Sequence, residues 1–371
     1  MKSVSIVSRP QSLTRCRVPS RVFFPYVLCS RRLSNAQISV NYVYSRDQIP
    51  AADAVMVESK IFYRAPDDEV FRYLKNLHNR CGKVIWVDNR DSAGNTQFEV
   101  LPYVDEYWKG QLYADLDNYN REVRFNRLHS EFFADHYDME AVDVPFDRKL
   151  SDYAEHQNKV QLGWNVGFGN YLNLSSLSEM ALLYVLKRPQ FPEFIRADAS
   201  RDIDVHCRFR RGGEPIYQCH RDDFAERLQR MDVAITNREP VPRKQFVSEM
   251  RRAKIVVSPF GWGEVCYRDF EAVINGSCLV KPSMEHITTW PNIFRANESY
   301  IPVRWDLADL ESTVLALLRD HDRRLSIANA AQTELQSLYS KHGLDLFAQD
   351  QTTRLCRGSA TALADGNSCR S

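Results

Sequence analysis

The sequence lacks an excess of charge of either sign, because its 371 residues carry a formal net charge of only +1. A protein built around nucleic acid usually shows a strong basic surplus, so no nucleic-acid partner is expected. Paired cysteines are also missing. Nine cysteines are scattered from Cys16 to Cys369 without a CxxC pair. That pattern argues against a disulfide framework and against a zinc-ligand spacing, and it favours reduced thiols in a cytoplasmic protein. No apolar run approaches the roughly 20 residues needed to span a bilayer. The longest one near the N-terminus, VFFPYVLC, is far shorter. Internal repeats and low-complexity blocks are absent. What remains is a near-neutral chain long enough for two domains, with 44% hydrophobic residues to build two cores.

Acid is missing from one region in particular. Residues 1–46 hold eight Lys or Arg and no Asp or Glu, which leaves the remainder at −7. Such a bias resembles an organellar transit peptide, and it would also suit peripheral contact with an anionic membrane. However, SVSIVS reads as a buried strand starting almost at Met1, and ISVNYVY at 38–44 reads as a second. A structural use of this segment is therefore favoured over a targeting one.

Short apolar runs alternate with helical patterns, as in a parallel sheet covered by helices. The first block holds AVMVES at 54–59, a periodic segment at 67–80 and KVIWVD at 83–88. The rhythm restarts near 203 with IDVHCRF, a helix at 218–230, VAIT at 233–236, a helix at 243–253, KIVVS, a helix at 268–275 and CLVKP. Two blocks predict an α/β protein of two Rossmann-like domains facing across a cleft. The expected boundaries are 1–165 for the N-terminal domain and 166–200 for a linker or hinge that GWNVGFGNY introduces. Residues 201–350 would form the C-terminal domain with its terminal helices, and 351–371 a fraying polar tail.

Ligands of open parallel sheets collect at the carboxyl ends of the strands. KIVVS ends at such a place and leads into PFGWG, where Gly261 and Gly263 let backbone approach a ligand. A helix starting near Glu264 would stack Glu264, Arg268 and Glu271 on one face. Arg208, Arg210 and Arg211 end IDVHCRF at another strand end, so two basic loops could face one diphosphate. In the N-terminal block, Asp88 and Asp91 follow KVIWVD and are the candidates for a catalytic base. The favoured alternative is that the same residues shape a turn or cap a helix from 97, which Asx residues do well. His129 and His136 are seven apart, but lone histidines on a helix are more often surface or core residues than ligands, and no metal is expected.

PFGWGEVCYRDFEAVINGSCLVKP, followed by TWPNIF, resembles the donor-binding half of group 1 GT-B glycosyltransferases. It is more distantly similar to the R-x-x-E-A-x-x-x-G-x-x-P core of exostosin-like enzymes. WVDNRDSAGNTQFEVLPYVDEYWKGQL and LGWNVGFGNY also look like parts of the group 1 family, so the likeness extends to about residue 340. The resemblance implies that Glu271 binds the donor ribose and Arg268 lies near the diphosphate. Glu264 would then sit on the donor side, although six residues separate it from Glu271 where the common retaining members have seven. It further implies a nucleoside diphosphate sugar as co-substrate, no cofactor or metal, and a glycan or lipid-linked acceptor. A nucleotide-sugar 2-epimerase on the same scaffold, or a non-catalytic nucleotide-sugar binding protein, are the alternatives.

Overall fold

The computed structural model describes residues 1–9, 11–13, 16–139, 150–169, 171, 191–209 and 213–357. Its first sheet is built from β1 (Lys2–Val7), β2 (Ile38–Val43), β3 (Ala54–Glu58), β4 (Val84–Asp88) and β5 (Glu106–Lys109). A short strand, β6 (Gln111–Tyr113), follows outside that sheet, and β7 (Val160–Leu162) completes it. The order is β2-β1-β3-β4-β5-β7, and every neighbouring pair is parallel. β1 pairs on both sides, with Lys2–Val7 against Ile38–Val43 and Val4–Val7 against Ala54–Val57. The basic N-terminal segment thus supplies an interior strand, and both of its faces are covered at Val4, Ser5, Ile6 and Val7. The helix α1 (Asp67–His78) packs Val70, Leu74 and Leu77 inward at i, i+4 and i+7, with Asp67, Asp68 and Glu69 in its first turn.

The second sheet contains β8 (Ile203–His206), β9 (Ala253–Val257), β10 (Cys278–Pro282) and, after the short β11 (Ile287–Thr289), β12 (Ile301–Val303). Its order is β8-β9-β10-β12, again all parallel. VAIT is not one of its strands. It touches β8 only through a bridge between Val205 and Ile235, with a proline-containing loop following.

The two sheets are joined by more than a linker. β11 of the second half pairs antiparallel with β6 of the first, matching Ile287 with Tyr113 and Thr289 with Gln111. α2 (Leu128–His136) meets α3 (Pro215–Gln229) through a Phe133–His220 stack at 4.0 Å and a Ser130–Tyr217 hydroxyl contact at 2.8 Å. The expected hinge is also tied down. Asn165 donates to Thr289 Oγ1 at 2.7 Å and to the Pro291 carbonyl at 2.8 Å, and Tyr339 donates to the carbonyls of Gly167 and Gly169 at 3.0 Å. Further helices are α4 (Arg243–Arg252), α5 (Tyr267–Ile274), α6 (Leu310–Arg319), α7 (His321–Tyr339) and α8 (Lys341–Cys356).

The expected polar tail begins too early at 351, because α8 continues to Cys356 and returns to the N-terminal half. There Tyr26 donates to Gln351 at 2.5 Å, and Lys2 and Lys83 donate to the Leu355 and Arg354 carbonyls. Thr352 and Thr353 bond back to the carbonyls of Ala348 and Gln349, so the polar composition is accommodated within the helix. No helix among the described residues is long and apolar enough to cross a membrane.

Where β4 ends, Lys109 and Asp88 form an ion pair at 2.9 Å with both side chains fully buried. Removing one partner of such a pair strands the other charge in a low dielectric. Lys109→Met should therefore destabilise the protein by about 3–5 kcal/mol in denaturant unfolding, with much of the loss recovered in the double variant Asp88→Asn/Lys109→Met. A further test concerns the contact between the halves, where a Cβ on Gly263 would stand 1.8 Å from the Asp91 carbonyl. Gly263→Ala should cost about 1–3 kcal/mol in thermal unfolding. Gly261→Ala would meet only the tip of Arg221 and should cost less; equal melting of all three proteins would show that the loops are not in contact.

Candidate active site

The carboxyl ends of β1, β3 and β4 form one wall of a cleft, and the loop after β9 together with the start of α5 forms part of the other. The cavity between them measures about 410 Å³, within the usual range for small-molecule sites. A buried carboxylate, Glu58, ties the first wall together. It accepts from the Ser8 hydroxyl and the Arg9 backbone at 2.9 Å, and from Asn89 Nδ2 at 3.0 Å. With its oxygens used in this way, Glu58 organises the strand ends, and cations gather beside it. Arg9, Arg21 and Lys60 are exposed there, Arg90 is half-buried, and all four line the cavity.

Asp88 and Asp91 lie on the same loop but in different surroundings. Asp88 is buried and accepts from Lys109, from the Tyr107 hydroxyl and, at 2.9 Å, from the Arg90 backbone N–H. Burial alone would raise its carboxyl, but the Lys109 and Arg90 charges hold it below the ordinary value. With its oxygens engaged, Asp88 shapes the site and is not placed to receive a substrate proton. Asp91 is exposed and lines the cavity, while its backbone carbonyl accepts from Gln111.

On the opposite side, α5 begins at Tyr267 rather than at Glu264, capped at Cys266 by reciprocal bonds with Asp269. Glu264 therefore does not share a helical face with Arg268 and Glu271. It is fully buried and points into the N-terminal half, accepting from Ser92 Oγ at 2.9 Å and from the Ala93 N–H at 3.2 Å. His129 Nδ1 and His286 Nε2 approach the same carboxylate at 3.4 and 3.7 Å. The single helical turn expected between Glu264 and Arg268 is replaced by the extended backbone at Cys266, whose φ is −139°.

Arg268 and Glu271 do lie on α5. Arg268 stands 5.9 Å from the centre of the Phe209 ring, and its buried Nε has no hydrogen-bond partner. Glu271 pairs with Arg243 Nη2 at 2.6 Å, an interaction for which no sequence pattern had singled out Arg243. Arg208 is already committed. Its guanidinium grips both oxygens of Glu249 and also reaches Asn237 and Glu239, so its fork is not free for a diphosphate. Arg210 and Arg211 lie outside the described residues. Gly261 and Gly263 make room for Arg221 and for the Asp91 carbonyl respectively, both of them protein groups.

The cationic rim was overlooked in the sequence although its signal was present. Arg9, Lys60 and Arg90 each follow a strand by one or two residues, the rule that selected Asp88 and Asp91. Arg21, Arg243 and His286 offer no comparable signal, because distant parts of the chain bring them in.

Comparison with known proteins bears on the C-terminal part of the chain. Residues 188–344 match the family model described as glycosyl transferase-like. No curated protein sequence matches. Among solved structures, an alpha-glucosyltransferase in complex with UDP-glucose and abasic-site DNA is similar at 12% identity and TM-score 0.41, over 95% of this chain and 99% of that one. Anabaena HepE with UDP and glucose is similar at 9% identity and TM-score 0.47, over 95% and 100% of the two chains. A glycosyltransferase from Rickettsia africae is similar at 10% identity and TM-score 0.44, over 96% and 99%. The family-model match spans the second parallel sheet and its helices, so the C-terminal part of the chain is similar to a glycosyl transferase-like domain, with a first parallel sheet across the cleft from it.

Proposed function

We propose that the enzyme moves a hexose-like unit from a nucleoside diphosphate sugar to a glycan or lipid-linked acceptor, in the cytoplasm, as a step of polysaccharide assembly. The observation that carries this proposal is the cleft cavity, with four cations and one exposed carboxylate on the N-terminal side and the start of α5 on the other. Glu271 would accept two ribose hydroxyls, with Arg243 holding it in one orientation. Arg268, one residue beyond the cavity-lining Tyr267 and with a buried Nε that has no hydrogen-bond partner, would turn towards a diphosphate oxygen on binding. The first turn of α5 adds the partial positive charge of its N–H groups, so the diphosphate would be neutralised by the protein without a metal.

Asp91 is the group of the N-terminal loop available to take the proton of the attacking hydroxyl. The hydroxyl oxygen would bond to the anomeric carbon while the nucleoside diphosphate leaves with the bonding electron pair. Free thiols at Cys29, Cys81, Cys207 and Cys278, all buried, fit a reducing compartment.

Glu271→Ala should raise the donor KM by about tenfold or more, because a charged acceptor of hydroxyl bonds is worth roughly 1.5–3 kcal/mol. Steady-state kinetics with each nucleoside diphosphate sugar checks it, and unchanged donor KM would remove Glu271 from the site. Asp91→Asn should lower kcat by about 10²–10⁴-fold at unaltered donor KM. Thermal shift against the same nucleotides gives the broader test, since no stabilisation by any of them at millimolar concentration would sink the proposal. Product analysis distinguishes transfer, which releases nucleoside diphosphate only with acceptor, from isomerisation of the sugar.

A further inference from the structure

Behind the loop that follows β9, three side chains from distant parts of the chain converge. His129 comes from α2 in the first half, Glu264 from the loop itself, and His286 from the residue before β11. His129 and Glu264 are fully buried, His286 is nearly so, and none of the three lines the cleft cavity. One nitrogen or oxygen from each lies within 4.8 Å of the others.

The hydrogen-bond chemistry of this cluster does not close by itself. His129 Nε2 lies 3.3 Å from the Gly261 carbonyl, which can only accept, so that nitrogen carries the hydrogen. In the neutral ring Nδ1 then presents a lone pair, and it faces Glu264 Oε1 at 3.4 Å, another acceptor. His286 brings Nε2 to 3.7 Å from the same oxygen, and neither of its ring nitrogens has a hydrogen-bond partner. Lone pairs that converge in this way need an electrophile between them, either protons or a metal ion.

We propose that His129, Glu264 and His286 bind a divalent transition-metal ion of the zinc class, which clasps the two halves of the enzyme behind the cleft. Two imidazoles and one carboxylate form a borderline nitrogen–oxygen set suited to zinc, with a fourth position left for solvent. Tetrahedral coordination with bonds of about 2.0–2.1 Å separates ligand atoms by roughly 3.3–3.4 Å. The observed 3.4 and 3.7 Å approaches to Glu264 are close to that spacing, and the set as a whole, within 4.8 Å, would close by small side-chain rotations on binding. The surroundings supply what metal ligands require. The Gly261 carbonyl fixes the His129 tautomer, Ser92 and the Ala93 N–H orient the carboxylate, and the Phe260 and Trp305 rings cover the imidazoles. This site is separate from the diphosphate and needs neither donor nor turnover for its demonstration.

The test uses the full chain, stripped with a chelator and then equilibrated with zinc chloride at micromolar concentration. After dialysis, elemental analysis should find about one zinc per chain, and zinc should raise the melting temperature. His286→Gln, at the least buried ligand, should lose at least nine-tenths of the bound zinc and the stabilisation while keeping its circular dichroism spectrum. His129→Gln should behave alike, with His286→Gln carrying the test if that more buried variant fails to fold. No stoichiometric zinc in the unsubstituted protein, or equal retention by a folded His286→Gln variant, would overturn the site and assign the cluster to protonated, hydrogen-bonded histidines.

Discussion

Glu264 is a carboxylate without contact to solvent, and the arrangement of the cleft depends on how its charge is satisfied. An ionised group in so dry a place must be met by donors or cations from other elements. Here Ser92 and Ala93 from the loop after β4 and Gln111 from β6 donate to it, and His129 from α2 and His286 from the segment before β11 approach it. Meeting them brings the loop 258–266 against the loop 88–95, which is why Gly263 has no space for a side chain. The same contact places Asp91 at the cavity and aligns the short antiparallel pair β6–β11 between the halves.

Charge across the cleft follows a division of labour. Buried acids such as Glu58, Asp88 and Glu264 accept bonds from nearby backbone and side chains and so shape loops, while the exposed cations at the strand ends line the cavity. On the second sheet Arg208 is used structurally against Glu249, whereas Arg268 keeps an unpartnered nitrogen. A chain of nearly zero net charge can thus present a locally positive site, because the neutralising acids are distributed elsewhere.

Much of the fold was legible because the signals were local. The strands at 54–58, 84–88, 253–257 and 278–282 are largely apolar runs, as strands buried on both faces should be, those at 2–7 and 38–43 alternate apolar with polar residues, and the helices at 67–78 and 243–252 have a clear amphipathic period. β7 and β12 escaped notice because three residues carry too little pattern, and VAIT read as a strand although it makes only one bridge. α8 also misled. Its threonines and charged residues look like a tail, but Phe347, Gln351 and Leu355 are buried against the other half.

Local periodicity by itself determined that this is an alternating α/β chain with two parallel sheets, and the spacing in RDFEA placed Arg268 and Glu271 on one short helix. Tertiary structure alone decided which charged residues are free to act. Asp88 and Asp91 are three apart in one loop, yet one lies in an ion pair at the end of β4 and the other at the cavity. Likewise Arg243 meets Glu271, and His129 meets Glu264 and His286, across separations that no local pattern spans. Burial and partnership depend on the whole packed arrangement, and they determine the chemistry available to a side chain more strongly than its neighbours in sequence do.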